Sequence, residues 1–141
     1  MSRVFWDTHL FLYLLEGEGE QAERVTALLR RLQERGDQLY TSVLTLGEVL
    51  VKPLEQGEVE LAARYEAVLS PPVVTLAPLE RSGARTYAQL RRDRSIRSPD
   101  AIQLACAAAA GCDLFITNDD RLTRKVVPGI QFIVSLERAP L

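Results

Sequence analysis

Four carboxylates stand in short segments whose surroundings give each a reason to meet the others. They are Asp7 in Phe5-Trp6-Asp7-Thr8, Glu48 in Leu46-Gly47-Glu48-Val49, Asp100 in Ser98-Pro99-Asp100-Ala101 and Asp119 in Ile116-Thr117-Asn118-Asp119. Acids held within a few ångströms of one another cannot all stay ionised without a cation. They either raise one another's pKa values or bind a hard divalent ion, and the second outcome makes a catalytic site.

The elements that must position them follow from pattern and punctuation. Val4-Phe5-Trp6 reads as a short buried strand that stops at Asp7, and Thr8 to Leu15 as a helix. After the break at Gly17 and Gly19, Glu20 to Arg35 carries an apolar stripe of Ala22, Val25, Leu28, Leu29 and Leu32, and Gly36 closes that helix. Gln38 to Thr41 makes a second strand. Ser42 suits the N-cap of an apolar helix from Val43 to Val51, which Pro53 ends. A charged helix from about Glu58 to Leu69 leads through Pro71-Pro72 to a strand over Val73 to Leu76 and a helix from Leu79 to Arg92. Ser98 and Pro99 supply a cap and a first helical residue for the alanine-rich run to Ala110 and Gly111. Asp113 to Thr117 is the next strand, then come a short helix after Asn118 and a last strand near Gln131 to Val134. Strands alternating with helices predict an α/β chain: one Rossmann-like domain over residues 1–141, with a mostly parallel sheet of about five short strands flanked by helices.

In such a sheet ligands bind at the carboxyl ends of the strands, where the following helices begin. Asp7 and Asp119 come just after strands, and Asp100 lies in the first turn of the helix before the Asp113–Thr117 strand, so the three share one edge. Glu48 is about two turns into a helix that starts at that edge, on a face with Leu44 and Val51 that would otherwise be core. A lone acid on an apolar face needs a partner, and a metal ion would serve. The competing reading is that Asp7, Asp100 and Asp119 merely complement helix dipoles at ~0.3–1 kcal/mol each, and that Glu48 is a surface glutamate.

The bulk numbers narrow the classes. With 141 residues, 47 % hydrophobic and 26 % charged, the chain has an ordinary globular composition. A net charge of −2 gives no overall pull toward polyanions, so nucleic-acid contact must rest on metal or on a local basic patch. Arg85, Arg91, Arg92, Arg94 and Arg97, with Asp93 as the only acid among them, make such a patch directly before the Asp100 helix. A phosphate-binding rim and a solvated helix end are both open to it. Cys106 and Cys112 lack metal-finger or redox spacing and read as reduced and buried. The stretch from Val4 to Leu15 is broken by Asp7 and His9 and runs into acidic residues, which fits neither a signal peptide nor a membrane span; the expectation is a cytoplasmic protein.

Taken together, Val4-Phe5-Trp6-Asp7-Thr8-His9, Thr41 to Glu48, Ser98 to Ala105 and Leu114 to Asp119 resemble the PIN domain, and more narrowly the VapC-type toxins of toxin–antitoxin pairs, from about Arg3 to Val134. The resemblance implies a metal-dependent endoribonuclease, usually a homodimer, restrained by a cognate VapB-like antitoxin. It implies that Asp7, Glu48, Asp100 and Asp119 hold Mg²⁺ or Mn²⁺, that Thr117 supports the site by hydrogen bonding, and that Asp120 is an outer or substitute ligand. The family's apolar residue three positions on, here Leu122, favours Asp119 over Asp120. Arg91, Arg92, Arg94 and Arg97 are then the residues expected to meet RNA.

Two rivals remain. A non-catalytic PIN-fold module binding RNA or protein would lack or displace one of the acids, and none is missing. A phospho-accepting receiver domain needs an acidic pair after the first strand and an accepting Asp after the third, where this chain has one Asp and Leu76-Ala77-Pro78. Gly17-Glu18-Gly19-Glu20-Gln21-Ala22 fits a dinucleotide fingerprint only formally, because it follows a helix and carries acids that repel pyrophosphate. His9, the single histidine, reads as a local packing or hydrogen-bonding residue, and Trp6 as core.

Overall fold

The computed structural model describes residues 1–140. Its elements run β1 (Arg3–Trp6), α1 (Thr8–Glu16), α2 (Gly19–Arg35), β2 (Gln38–Ser42), α3 (Val43–Glu55), α4 (Val59–Val68), β3 (Thr75–Ala77), α5 (Arg81–Leu90), α6 (Ser98–Ala109), β4 (Leu114–Thr117), α7 (Asp120–Thr123) and β5 (Phe132–Ser135). The strands form one five-stranded sheet in the order β3-β2-β1-β4-β5, and every pairing is parallel. The α/β expectation holds, and the order reverses at β1, which is the central strand between β2 and β4.

The alternation of β1 divides the core into two layers. Val4 and Trp6 join Leu10, Phe11, Val25, Leu28 and Leu32 of α1 and α2 on one face. Phe5 turns the other way, with Phe115, Leu104, Ala101 and Cys106 of β4 and α6. Phe5 and Phe115 are register partners, and their rings stack with centroids 5.1 Å apart. Both cysteines are free and buried, and burial pushes the thiols of Cys106 and Cys112 up to about 11 and about 12. No helix among the described residues is long and apolar enough to cross a membrane.

Several boundaries differ from the sequence-based expectation. The third strand is Thr75–Ala77 rather than Val73 to Leu76, because the amides of Val73 and Val74 both bond the Ser70 carbonyl, each at 3.1 Å, and are lost to the ladder. Helix α3 runs through Pro53 to Glu55. Proline there forfeits only its own amide, and the Gln56 amide still reaches the Lys52 carbonyl at 3.1 Å. Helix α5 is shorter than expected, starting after Glu80, whose carbonyl takes the Gly83 and Ala84 amides. Ser98 does not cap α6: Arg97 holds the cap position, and the Ser98 hydroxyl lies 2.6 Å from that of Tyr87. Ser42 does cap α3, accepting from the Thr45 amide at 3.3 Å, and Gly36 closes α2 at φ 72°.

Candidate active site

The carboxyl edge of the sheet is where chain direction reverses into helices, and the acids sit at these reversals. Asp7 follows β1 and takes the cap position of α1 without capping it; its own amide bonds the Ile116 carbonyl of β4 at 3.2 Å. Thr117, the buried last residue of β4, donates its hydroxyl to Asp7 Oδ2 and accepts the Asp119 amide at 3.0 Å. One threonine thereby fixes two acids from neighbouring strands. Asp119 caps α7, and Asp100 is the third residue of α6. Glu48 Oε1 accepts the Thr8 hydroxyl at 2.6 Å. All four acids line one cavity of about 420 Å³, together with Thr8, His9, Arg97, Gln103 and Arg121.

Below the acids lies a buried polar network. The Thr41 hydroxyl donates to the Trp6 carbonyl at 2.7 Å and lies 2.8 Å from Thr45 Oγ1. The Ser42 hydroxyl donates to Gln103 Oε1 at 2.5 Å, and Gln103 Nε2 reaches Thr45 Oγ1 at 2.7 Å and Thr8 Oγ1 at 3.0 Å. These residues come from β2, α1, α3 and α6, so the network ties together the elements that carry Asp7, Glu48 and Asp100. Because the groups are buried, each needs these partners to avoid a desolvation cost. The chain of bonds ends on Glu48 through Thr8 and sets where that carboxylate stands.

The position of Glu48 differs from the sequence expectation. The buried face of α3 is Thr45, Val49 and Pro53, while Val51 is exposed. Glu48 is therefore not on a core stripe, and its partner is a threonine on α1. Lys52 stands one turn further along and borders, with Glu48, an apolar groove between α3 and α4.

Electrostatically the acids are unequal. Burial lifts the Asp7 carboxyl from an ordinary 3.8 to about 6, opposed by the Thr117 hydrogen bond and by His9, and its Oδ1 is buried without a hydrogen-bond partner among the described residues. Asp100 is also raised, first by burial and next by Asp119. Asp119 is lowered, above all by hydrogen bonds from Arg121. That guanidinium donates Nε to Oδ1 at 3.0 Å and Nη2 to Oδ2 at 2.7 Å.

A hard divalent cation fits this donor set in chemistry: the oxygens are carboxylate, Asp7 Oδ1 is buried with no partner among the described residues, and Asp100 disfavours the charge of Asp7 as Asp119 disfavours that of Asp100. The side chains as placed do not form a finished cage, since no three His, Cys, Asp or Glu groups among the described residues are spaced to hold one ion. Asp120 does not join the acids. It lines a different cavity of about 710 Å³ with Arg24, Thr123, Arg124 and Arg138, on the far side of the 118–120 turn. Of the arginine patch only Arg97 borders the acid cavity. Arg91 is exposed, with Nη1 on the Ile96 carbonyl at 3.3 Å, and Arg85, Arg92 and Arg94 are exposed elsewhere.

Sequence reasoning missed Gln103, Thr45 and Arg121, and set His9 aside, although it borders the cavity. A signal for Gln103 existed: it is the one amide side chain inside the apolar run Ala101 to Ala110. Arg121 carried none, because its role depends on the tight turn at Asp119.

Comparison with known proteins agrees with this architecture. The PIN domain family model matches residues 4–127. The fold is similar to VapBC2 from Rickettsia felis bound to a DNA fragment from their promoter, at TM-score 0.75 and 14 % identity over 94 % of this chain and 98 % of that one. It is also similar to a toxin–antitoxin complex from Klebsiella pneumoniae, at TM-score 0.68 and 21 % identity over 90 % and 94 % of the two chains. VapBC-5 from Mycobacterium tuberculosis matches at TM-score 0.62 and 22 % identity over 96 % and 99 %. No curated protein sequence matches the chain.

Proposed function

From the premise that this chain belongs to the PIN domain family, we propose that it is a Mg²⁺- or Mn²⁺-dependent endoribonuclease and the toxin of a VapBC-like pair. The observation that carries the reading is the meeting of Asp7, Glu48, Asp100 and Asp119 in one cavity at the carboxyl edge of the sheet. These four would hold the cation. When bound, it would supply Lewis-acid chemistry, activating a water and offsetting charge on the phosphodiester.

The chain's own residues divide the remaining work. Thr117 orients Asp7 and keeps its carboxylate ionisable in a buried place, since its hydrogen bond opposes the effect of burial. Thr8, held by Gln103 and Thr45, fixes Glu48. Asp100 and Asp119, which both line the cavity, are the carboxylates available to accept the proton of the attacking water. Arg97, at the cavity mouth, meets the RNA phosphate. Arg91, Arg92 and Arg94 extend that contact along the strand.

The partners follow from the same reading: an RNA substrate, a VapB-like antitoxin and a second copy of the chain, in the cytoplasm, with residues 1–141 as one domain. Exposed Val51, Leu54 and Val59 on α3 and α4 support a covered face. The test is cleavage of a panel of structured and single-stranded RNAs by purified protein with Mg²⁺ or Mn²⁺, comparing wild type, Asp7→Asn and EDTA. Cleavage abolished by both treatments supports the assignment. Activity that survives both refutes it, and absence of cleavage across the panel turns the reading toward a PIN-fold binding module. An upstream small reading frame whose product co-purifies with this chain and blocks cleavage tests the toxin role.

A further inference from the structure

Two arginines, Arg97 and Arg121, line the acid cavity, and Arg121 is the one hydrogen-bonded to an acid of the four. Its guanidinium forks onto Asp119 through Nε and Nη2, and its backbone amide meets Oδ1 at 3.0 Å. The side chains of Arg121 and Asp119 are 48 % and 28 % exposed, so the pair is wet enough to break and close enough to matter. Its charge also acts on Asp100. Both oxygens of one acid of the four are thus engaged from within the chain, while Asp7 Oδ1 has no partner and Asp100 accepts no side-chain hydrogen bond among the described residues.

We propose that Arg121 is an internal competitor of the divalent cation: it holds Asp119 in the ion-free protein and must release it for the ion to bind all four acids. The inference rests on the metal-dependent reading above and adds a regulation of that site. Its physical content is a linkage. Whatever stability Arg121 lends the ion-free fold, by offsetting repulsion among the acids, is withdrawn from ion affinity, because the bound state no longer contains the Asp119 pair. Arg121 thereby raises the concentration of ion at which the site fills.

An arginine of purely structural value would behave differently. Removing it would lower stability equally with and without ion and leave affinity unchanged. Arg97 borders the same cavity and acts on the same acids through space, but makes no hydrogen bond to Asp119. It therefore controls for loss of charge alone.

The experiment measures Mn²⁺ binding by the EPR signal of the free ion, and melting temperature with EDTA or saturating Mn²⁺, for wild type, Arg121→Gln, Arg121→Lys and Arg97→Gln. Arg121→Gln is expected to bind Mn²⁺ about fivefold more tightly, the scale of a partly exposed ion pair. It should melt lower than wild type in EDTA and at the same temperature in saturating Mn²⁺. Arg121→Lys keeps the charge without the fork and should lie between, so it carries the test should the glutamine variant fail to fold. Arg97→Gln should tighten binding by less than Arg121→Gln. If wild type binds Mn²⁺ and the Arg121 variants bind it equally or more weakly, the inference is overturned while the proposed function stands. If neither wild type nor variants bind Mn²⁺, both are overturned.

Discussion

Neutralising Asp7 should make the ion-free protein more stable, although the same change removes activity. The carboxyl is buried at the end of β1, has one oxygen without a partner, and titrates at about 6 in place of 3.8. The sign follows from proton binding. Below pH 3.8 folded and unfolded chains both carry the proton, and Asp7 contributes nothing to the pH dependence. Between 3.8 and about 6 the unfolded chain releases it while the folded chain retains it, so stability falls as pH rises. Above about 6 the loss is complete and constant. Each tenfold change in proton affinity is worth ~1.4 kcal/mol, which puts the full penalty at about 3 kcal/mol.

Asparagine keeps the volume and can still accept the Thr117 hydroxyl, but its amide hydrogens cost about 1 kcal/mol where they lack acceptors. The net expectation for Asp7→Asn in EDTA at pH 7.5 is therefore a gain of about 2 kcal/mol, or a melting temperature higher by roughly 6 °C. Urea unfolding of both proteins from pH 4 to pH 8 should show the gap opening across the interval and level above it. Saturating Mn²⁺ should reverse the order, since only the wild type keeps the full acid set. A variant equal to or less stable than wild type at pH 7.5, or a gap that does not change with pH, would refute the account of Asp7 as a buried charge awaiting a cation.

Thr117→Val removes the hydroxyl that opposes the effect of burial on Asp7, so the acid limb of the pH–cleavage profile should move upward, with turnover reduced about 10-fold or more; rate measurements from pH 5 to pH 9 check this. Gln103→Leu leaves the Ser42, Thr45 and Thr8 hydroxyls short of partners in the core and should cost about 2–4 kcal/mol in urea unfolding, with cleavage impaired because Glu48 loses its support. Arg97→Gln should raise KM about threefold with kcat nearly kept, and lower the salt dependence of single-stranded RNA binding by about 0.7 in log–log slope, measured by anisotropy with the Asp7→Asn protein as background.

The fold was legible because its signals are local and mutually consistent. Short strands followed by capped or glycine-closed helices admit few arrangements other than a parallel sheet, and Ser42 and Gly36 behave as their types dictate. Where the pattern misled, a competing hydrogen bond had decided the matter. Val73 and Val74 look like strand residues, yet their amides are taken by Ser70. Ser98 looks like a cap, yet its hydroxyl is taken by Tyr87 on a different helix.

The candidate site shows the same division more sharply. Asp7, Asp100 and Asp119 were readable because an acid at a strand end or in a first helical turn has its place set by backbone direction alone. Glu48 was readable as a member of the group but not in its surroundings, since the face it shares depends on how α3 rolls against α1, and Thr8, Thr45 and Gln103 settle that roll. Asp119 and Asp120 are adjacent in sequence and indistinguishable in type, and the turn into α7 sends them to different cavities. Net charge was the least informative quantity of all. A chain at −2 places two arginines, Arg97 and Arg121, in the cavity lined by its four candidate acids. What governs such a site is the balance between acids that repel one another and cations that can be exchanged, and that balance is set by distances of 3 Å which no composition records.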